Sequence, residues 1–241
     1  MKKVLGLAIS FCMLFGTVFA KGVYDGDIQL HLGLGLDSAK AVAESSFYEQ
    51  SLKTTMKSGS TTVDFELSTW HLFDVNDLIG VGFNLGFSGG IGKTSKMGMT
   101  AECNGRTISA EQLSSLEPSI AGHFNGLIGP AVGFTLNDVI KFDLAVGLAY
   151  GFDLYSYAYE YENGYSRDAG GDACMIFGAG FGCDVQAKFF PKSVVSPVLG
   201  YRLSSIFSSE VISSDLDSLS AYWDSVNYIA NEIYLGVSFN W

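Results

Sequence analysis

Asp64, Glu66, Asp143, Asp184, Lys188, Arg202 and Glu232, with His31 and His123, are titratable residues set inside runs of alternating apolar and small residues. Carboxylates, a guanidinium, an ammonium and imidazoles could bind a metal, relay protons or pair with one another. The spacing speaks for pairing. His31 and His123 fall toward opposite ends of their runs, so no shared metal is expected, and no metal-ligand spacing, nucleophile–base pair or phosphate loop appears. Gly86-Phe87-Ser88-Gly89 lacks the strand-to-helix context of a hydrolase elbow. The expectation is no catalytic residue, no metal and no cofactor. Arg202 and Asp184 each lie about five or six residues from the same short connection at 190–197. On antiparallel neighbours that puts them at similar height, and Glu232 on the next strand could join them.

The elements that would hold these residues are strands. In 27–36, Ile28, Leu30, Leu32, Leu34 and Leu36 share one face, and Gln29, His31, Gly33 and Gly35 share the other. Strict alternation over about ten residues is the length of a tilted membrane strand. The same pattern recurs at 61–73, with a possible slip over 69–72, and at 79–88. It recurs again at 122–136, where Pro130 predicts a bulge or a missing bond, and at about 140–152, 173–189, 197–207 and 228–241. Residues 37–60, 93–119, 154–171 and 208–227 read as long polar loops. The connections at 73–79, 134–140 and 190–197 are short. Two of them repeat: Phe73-Asp74-Val75-Asn76-Asp77-Leu78-Ile79 resembles Phe134-Thr135-Leu136-Asn137-Asp138-Val139-Ile140, and the alternation after each has the same phase. Equivalent hairpins of one sheet follow.

Eight strands with long and short connections in strict alternation make an all-β chain, an eight-stranded antiparallel up-and-down transmembrane β-barrel. The polarity decides against a soluble barrel, which would put apolar residues inside. Here glycine, serine and charge share one face, and glycine in mid-strand does not fill a core. Eight strands leave an interior just wide enough for side chains, and buried charges need partners. The lumen ionic cluster of Arg202, Asp184, Glu232, Glu66, Asp64, Asp143 and Lys188 is therefore read first as an ion-pair filling, and second as a constriction that selects solutes. Small inward residues at 79–88 and 173–189 would make room for Arg202, Tyr234 and Trp70. Aromatic residues band at two levels. Phe73, Phe134, Phe142, Phe189, Tyr201, Phe239 and Trp241 lie near the short turns, and Tyr150, Phe152, Phe207 and Tyr228 near the loops, as interface girdles do. Cys174 and Cys183 are too far apart along one strand to pair. Cys103 and Cys174 form a disulfide near the outer rim, or all three thiols are free.

The ends add an address. Lys2 and Lys3 precede an uncharged apolar run over 4–19, and Val18-Phe19-Ala20 suits signal peptidase, so residues 1–20 read as a cleaved Sec-type signal peptide and 21–241 as the barrel domain. Cleavage removes two lysines and takes 14 basic residues to 12 against 25 acidic ones. A balance of −13 excludes nucleic acid as a partner. The chain ends on Tyr234-Leu235-Gly236-Val237-Ser238-Phe239-Asn240-Trp241. Tyr234, Gly236, Phe239 and Trp241 resemble the C-terminal signal by which the insertion machinery recognises outer-membrane barrels. In topology the chain resembles the small barrels of the OmpX, OmpW, OmpA-barrel and opacity type, and in style the uncharacterised spirochaete outer-membrane proteins. The resemblance implies the bacterial outer membrane as location, its lipid as surroundings, and a non-enzymatic task. That task is either surface interaction or envelope structure, with loops meeting a host or envelope ligand, or an OmpW-like conduit for small, apolar solutes.

Overall fold

The structure is a computed structural model and describes residues 24–47, 50–103, 106–109, 117–162, 167–213 and 225–241. The signal peptide expected at 1–20 lies outside them. Nine strands follow in order: β1 (Tyr24–Phe47), β2 (Gln50–Asp74), β3 (Ile79–Cys103), β4 (Arg106–Ser109), β5 (Glu117–Thr135), β6 (Ile140–Glu162), β7 (Arg167–Phe189), β8 (Val195–Ser213) and β9 (Ser225–Asn240). The sheet runs β2-β1-β9-β8-β7-β6-β5-β3, and a β2–β3 pairing closes it; β4 is a flap on the end of β3. Every described pairing is antiparallel. Closure leaves the eight wall strands no edge.

The alternation in the sequence becomes the two faces of the wall. Along β1, Leu32 and Leu34 are each 62% exposed, while Gln29 and His31 are 0% and 2% exposed. Outward leucine, valine and phenylalanine continue round every wall strand, from Phe65 and Ile91 to Phe181 and Leu235. A backbone paired strand to strand around a closed circuit, and whose outer side chains are apolar, is suited to lipid.

The four expected loops are a correction. Residues 37–60 are paired almost throughout, from Asp37 opposite Ser60 to Phe47 opposite Gln50. β3 runs on to Cys103, which faces Leu52, and β6 and β7 stay paired as far as Glu162 and Arg167. Above the apolar band the outer face turns polar at Lys40 and Glu44, while inside Ala39 and Ala41 are small residues buried in one apolar cluster with Val226 and Tyr228. Periodicity then vanishes from the sequence although the ladder persists. The segments at 110–116, 163–166 and 214–224 lie outside the described residues.

The two repeated turns share the same side-chain cap. Asn76 Oδ1 accepts hydrogen bonds from the Leu78 and Ile79 amides, each at 2.9 Å. Asn137 Oδ1 does the same for Val139 and Ile140, at 2.8 and 2.9 Å. The third turn differs: Phe190 has φ 55°, left-handed for a bulky residue. At Pro130 the β5–β6 ladder omits the pairs of Gly129 and Pro130 and resumes in the same register, so it is a missing bond and not a bulge. No slip occurs over 69–72: Trp70 and Leu72 continue the inward face and are 1% exposed, packed with Ala131 and Ala145. The weak alternation there reflects apolar side chains inside and Thr69 and His71 outside. Tyr228 is a second correction. It shares the inward parity of Tyr234, is 1% exposed and accepts a hydrogen bond from Asn125, so it belongs to no outer girdle. On the outside, Phe87, Phe124 and Phe152 stack in a row across β3, β5 and β6 at 6.2 and 5.9 Å.

Candidate functional site

The inward parity of β1, β2, β7, β8 and β9 brings the charges together. Arg202 lies at the centre of the lumen. Its Nη2 donates to Glu66 Oε1 and, at 2.6 Å, to Asp184 Oδ2, and its Nε donates to the same oxygen at 3.2 Å. The Tyr234 hydroxyl donates to Asp184 Oδ1 at 2.6 Å. His31 stacks on the Tyr234 ring, with centroids 4.2 Å apart, and holds Nδ1 3.2 Å from Glu66 Oε2. Arg202, Glu66, Asp184, Tyr234 and His31 are each at most 3% exposed.

Two further layers flank this one. Toward the hairpins, His123 Nδ1 meets Asp37 Oδ2 at 3.0 Å and His123 Nε2 meets Asp64 Oδ1 at 3.6 Å. Toward the turns, Lys188 donates to Asp27, and at 3.3 Å to Asn240. Asp27 also takes the Ser238 hydroxyl at 2.9 Å and Gln29 Nε2 at 2.9 Å. Lys141 pairs with Asp25 and lies 3.7 Å from Asp143, which accepts from Gln186 at 3.0 Å.

The seven expected cluster residues are therefore all buried, but they do not form one cluster. Arg202, Asp184 and Glu66 meet. Glu232 is level with Arg202 across β8–β9 yet folds over Gly33, and its Oε1 has no hydrogen-bond partner. Asp64 belongs with His123, and Asp143 and Lys188 belong to the turn-side layer. Sequence reasoning left out Asp27, Asp37, Asp25, Lys141 and Gln186 as partners. Parity points to Asp27 and Asp37, which share the face of Gln29 and His31, but Asp37 falls in a stretch whose sequence reads as loop.

Glycine makes the large side chains fit. A Cβ on Gly86 would lie 2.6 Å from Arg202 Nη2, one on Gly200 2.1 Å from Tyr234 Cζ, and one on Gly90 1.9 Å from Asp64 Oδ1. Gly86 on β3 thus serves Arg202 as expected, whereas the room for Tyr234 comes from β8. A cavity of about 10 Å³ remains among Asp37, Asp64, His123, Asn125, Arg202 and Glu232; such a volume holds about one water. At the turn end a mouth of about 830 Å³ opens between Asp25, Asp74, Lys141, Lys192 and Trp241. Among the described residues no three histidines, cysteines or carboxylates converge to hold a metal ion. Cys103 and Cys183 are free thiols, and the side chain of Cys174, the partner expected for Cys103, lies outside the described residues.

Outside the membrane wall, two exposed pairs occur among the described residues. Lys53 Nζ lies 2.6 Å from Glu44 Oε1 and Lys192 Nζ 2.6 Å from Asp138 Oδ1. In each the hydrogen bond to the carboxylate, followed by its charge, raises the ammonium above the ordinary lysine value.

A closed, even, antiparallel wall that is apolar outside and charged inside is the plan of bacterial outer-membrane proteins. This chain is an outer-membrane barrel. No family model and no curated protein matches it. Among solved structures it is similar to Ail, the attachment invasion locus protein of Yersinia pestis, in complex with the heparin analogue sucrose octasulfate. That match has 10% identity and a TM-score of 0.40, and covers 90% of this chain and 99% of that one. It is also similar to Neisserial surface protein A, at 15% identity and a TM-score of 0.35 over 86% and 96% of the two chains. A third match is the outer-membrane protease OmpT from Escherichia coli, at 9% identity and a TM-score of 0.38 over 90% and 96%. The strand register, not these likenesses, carries the assignment.

Proposed function

We propose that this outer-membrane barrel is a non-enzymatic surface protein whose lumen is plugged by its own side chains and whose work is done by the paired hairpins beyond the bilayer. The observation that carries the reading is the middle layer of the lumen. Arg202 bridges Glu66 and Asp184 across the bore, and the space left beside it is of the order of one water. The hairpins support the second half. β1 and β2 continue about eleven residues past Leu36, which at about 3.4 Å per residue is a paired projection of about 37 Å. A ladder of that length can present side chains to a host or envelope ligand or brace the envelope. Purified protein in planar bilayers tests the plug. Wild type is expected to be electrically silent. Reproducible unitary conductance or solute flux would overturn the reading in favour of a narrow conduit.

The ends belong to the same proposal. Residues 1–20 act as the export signal, and Tyr234, Gly236, Phe239 and Trp241 as the insertion signal. Phe239 and Trp241 face outward, available to the insertion machinery, while Tyr234 and Gly236 also pack the lumen. Trp241→Ala should lower the amount inserted in cells while leaving refolding into detergent intact. Equal loss in both settings would make the residue structural only.

A further inference from the structure

We propose that Lys40, Lys57 and Lys93 form a docking site for the phosphate groups of outer-leaflet lipid on the outside of the barrel, just above its apolar band. Lys40 and Lys57 are directly opposite one another in the β1–β2 register, and both are exposed on the outward face. Lys93 is exposed on the same face of β3, opposite Thr61, which in turn is opposite Leu36. Like charges directly opposed across an antiparallel pair are unfavourable. In a chain of net charge −11, a carboxylate could readily have stood at one of these positions. The described carboxylate nearest along the outer face, Glu44, is engaged by Lys53. Among the described residues none of the three lysines is in an ion pair.

Height selects the ligand. Leu34, Leu36, Val63 and Ile91 end the unbroken apolar runs on the outside of β1, β2 and β3, each more than half exposed; Val42, half-buried two residues above Lys40, stands apart from them. Lys93 is level with Leu36, and the Lys40–Lys57 pair lies four residues higher, about 13 Å along the strand. The three cations therefore span the layer where lipid headgroups begin. Lysines at an anionic membrane surface are each attracted by the headgroups, and a phosphate between Lys40 and Lys57 would turn their repulsion into a shared contact. The proposal rests on the outer-membrane location, not on the plugged lumen.

Full-length protein in phosphatidylcholine nanodiscs, with and without a minority of lipid A (a bisphosphorylated glycolipid), provides the test. The readouts are lipid A retained per protein and the thermal midpoint of the heat-modifiable gel shift. Wild type should retain lipid A above its bulk proportion and melt higher with it. The Lys40→Gln, Lys57→Gln, Lys93→Gln triple variant should weaken retention by about tenfold or more, whereas Lys192→Gln at the opposite end should not. Equal retention by the triple variant overturns the proposal. Protection by inorganic phosphate alone, to the same degree, would make this a free-anion site and overturn the lipid assignment. A soluble heparin fragment that binds more tightly through the same lysines would overturn it in favour of a sulfated glycan. Lys57→Glu keeps the test open should the triple variant fold poorly. It pairs with Lys40, so it should raise the midpoint in phosphatidylcholine alone and reduce the gain from lipid A. A rise of the same size in both membranes would show that the lysines merely repel.

Discussion

Two ion pairs in this barrel have the same length and opposite surroundings. Arg202 Nη2 lies 2.6 Å from Asp184 Oδ2, with side chains 4% and 0% exposed; Lys192 Nζ lies 2.6 Å from Asp138 Oδ1, with side chains 74% and 79% exposed. Distance does not set what such a pair is worth. In the lumen neither charge can turn to water, so each is held by the other and by Glu66 and Tyr234. At the turn, water and salt screen both charges and supply alternative partners. The inner pair is thus obligatory and the outer one dispensable.

Arg202→Ala should cost the most. It strands Glu66 and Asp184 in the bore, and breaking a buried pair from one side costs about 3–5 kcal/mol. Urea titration of the folded fraction in micelles, read by gel mobility, measures it. Neutralising the whole group, as Arg202→Met with Glu66→Gln and Asp184→Asn, should recover most of that loss, because no charge is left unpaired. A loss below about 1 kcal/mol for Arg202→Ala would put the lumen pair in the surface class and undo the contrast. Gly90→Ala comes next. Its Cβ would lie 1.9 Å from Asp64 Oδ1 and 2.7 Å from His123 Cε1, and overpacking of this kind costs about 1–3 kcal/mol. Gly89→Ala, facing outward with nothing nearer than 3.6 Å, is its control and should change stability by less than about 0.5 kcal/mol.

The same contrast explains what could be read from the chain. Between Ile28 and Leu36, or Val63 and Leu67, lipid on one side and a packed lumen on the other force opposite chemistry onto alternate residues, so strand, facing and barrel class were legible. The repeated Asn76 and Asn137 turns were legible because a tight reversal demands a side chain that caps its own backbone. Where that contrast is lost the signal fails. Lys40 to Phe47 and Gln50 to Ser60 lack a continuous apolar outer face, with Lys40 and Glu44 outside and the small Ala41 buried inside, so the sequence does not mark them as strand although they are ladder. Trp70 and Leu72 are apolar inside beside Thr69 and His71 outside, and the inversion looked like a slip. Which charges meet was least legible of all. Parity says that Arg202, Glu66, Asp64 and Lys188 face inward, but the stagger of the strands decides their heights, and no local pattern encodes it.

The turns allow an intermediate test. Asn137→Ala removes an acceptor that holds two backbone amides, Val139 and Ile140, in an exposed reversal. Water can replace part of what is lost, so the expected cost is about 1 kcal/mol. Asn76→Ala should match it, because the same two bonds recur there. Unequal losses at the two turns would mean that their surroundings, rather than the shared motif, carry the stability.

Lys192→Gln should do least, and its pH dependence shows why. The hydrogen bond from Lys192 to Asp138, and then the charge of that carboxylate, raise the ammonium above the ordinary lysine value. A group with a raised folded-state value gives whatever stability it has in full below the ordinary lysine range, and loses it as pH rises through the raised value. Melting curves at neutral pH, with and without added salt, should superimpose for wild type and Lys192→Gln. Taking both above the lysine range should leave their difference at zero, because in wild type the only thing lost is an interaction that water was already sharing. If wild type instead melts higher at neutral pH and the two converge in alkali, the turn pair holds the barrel shut at its mouth, and exposure would not be the property that separates it from Arg202.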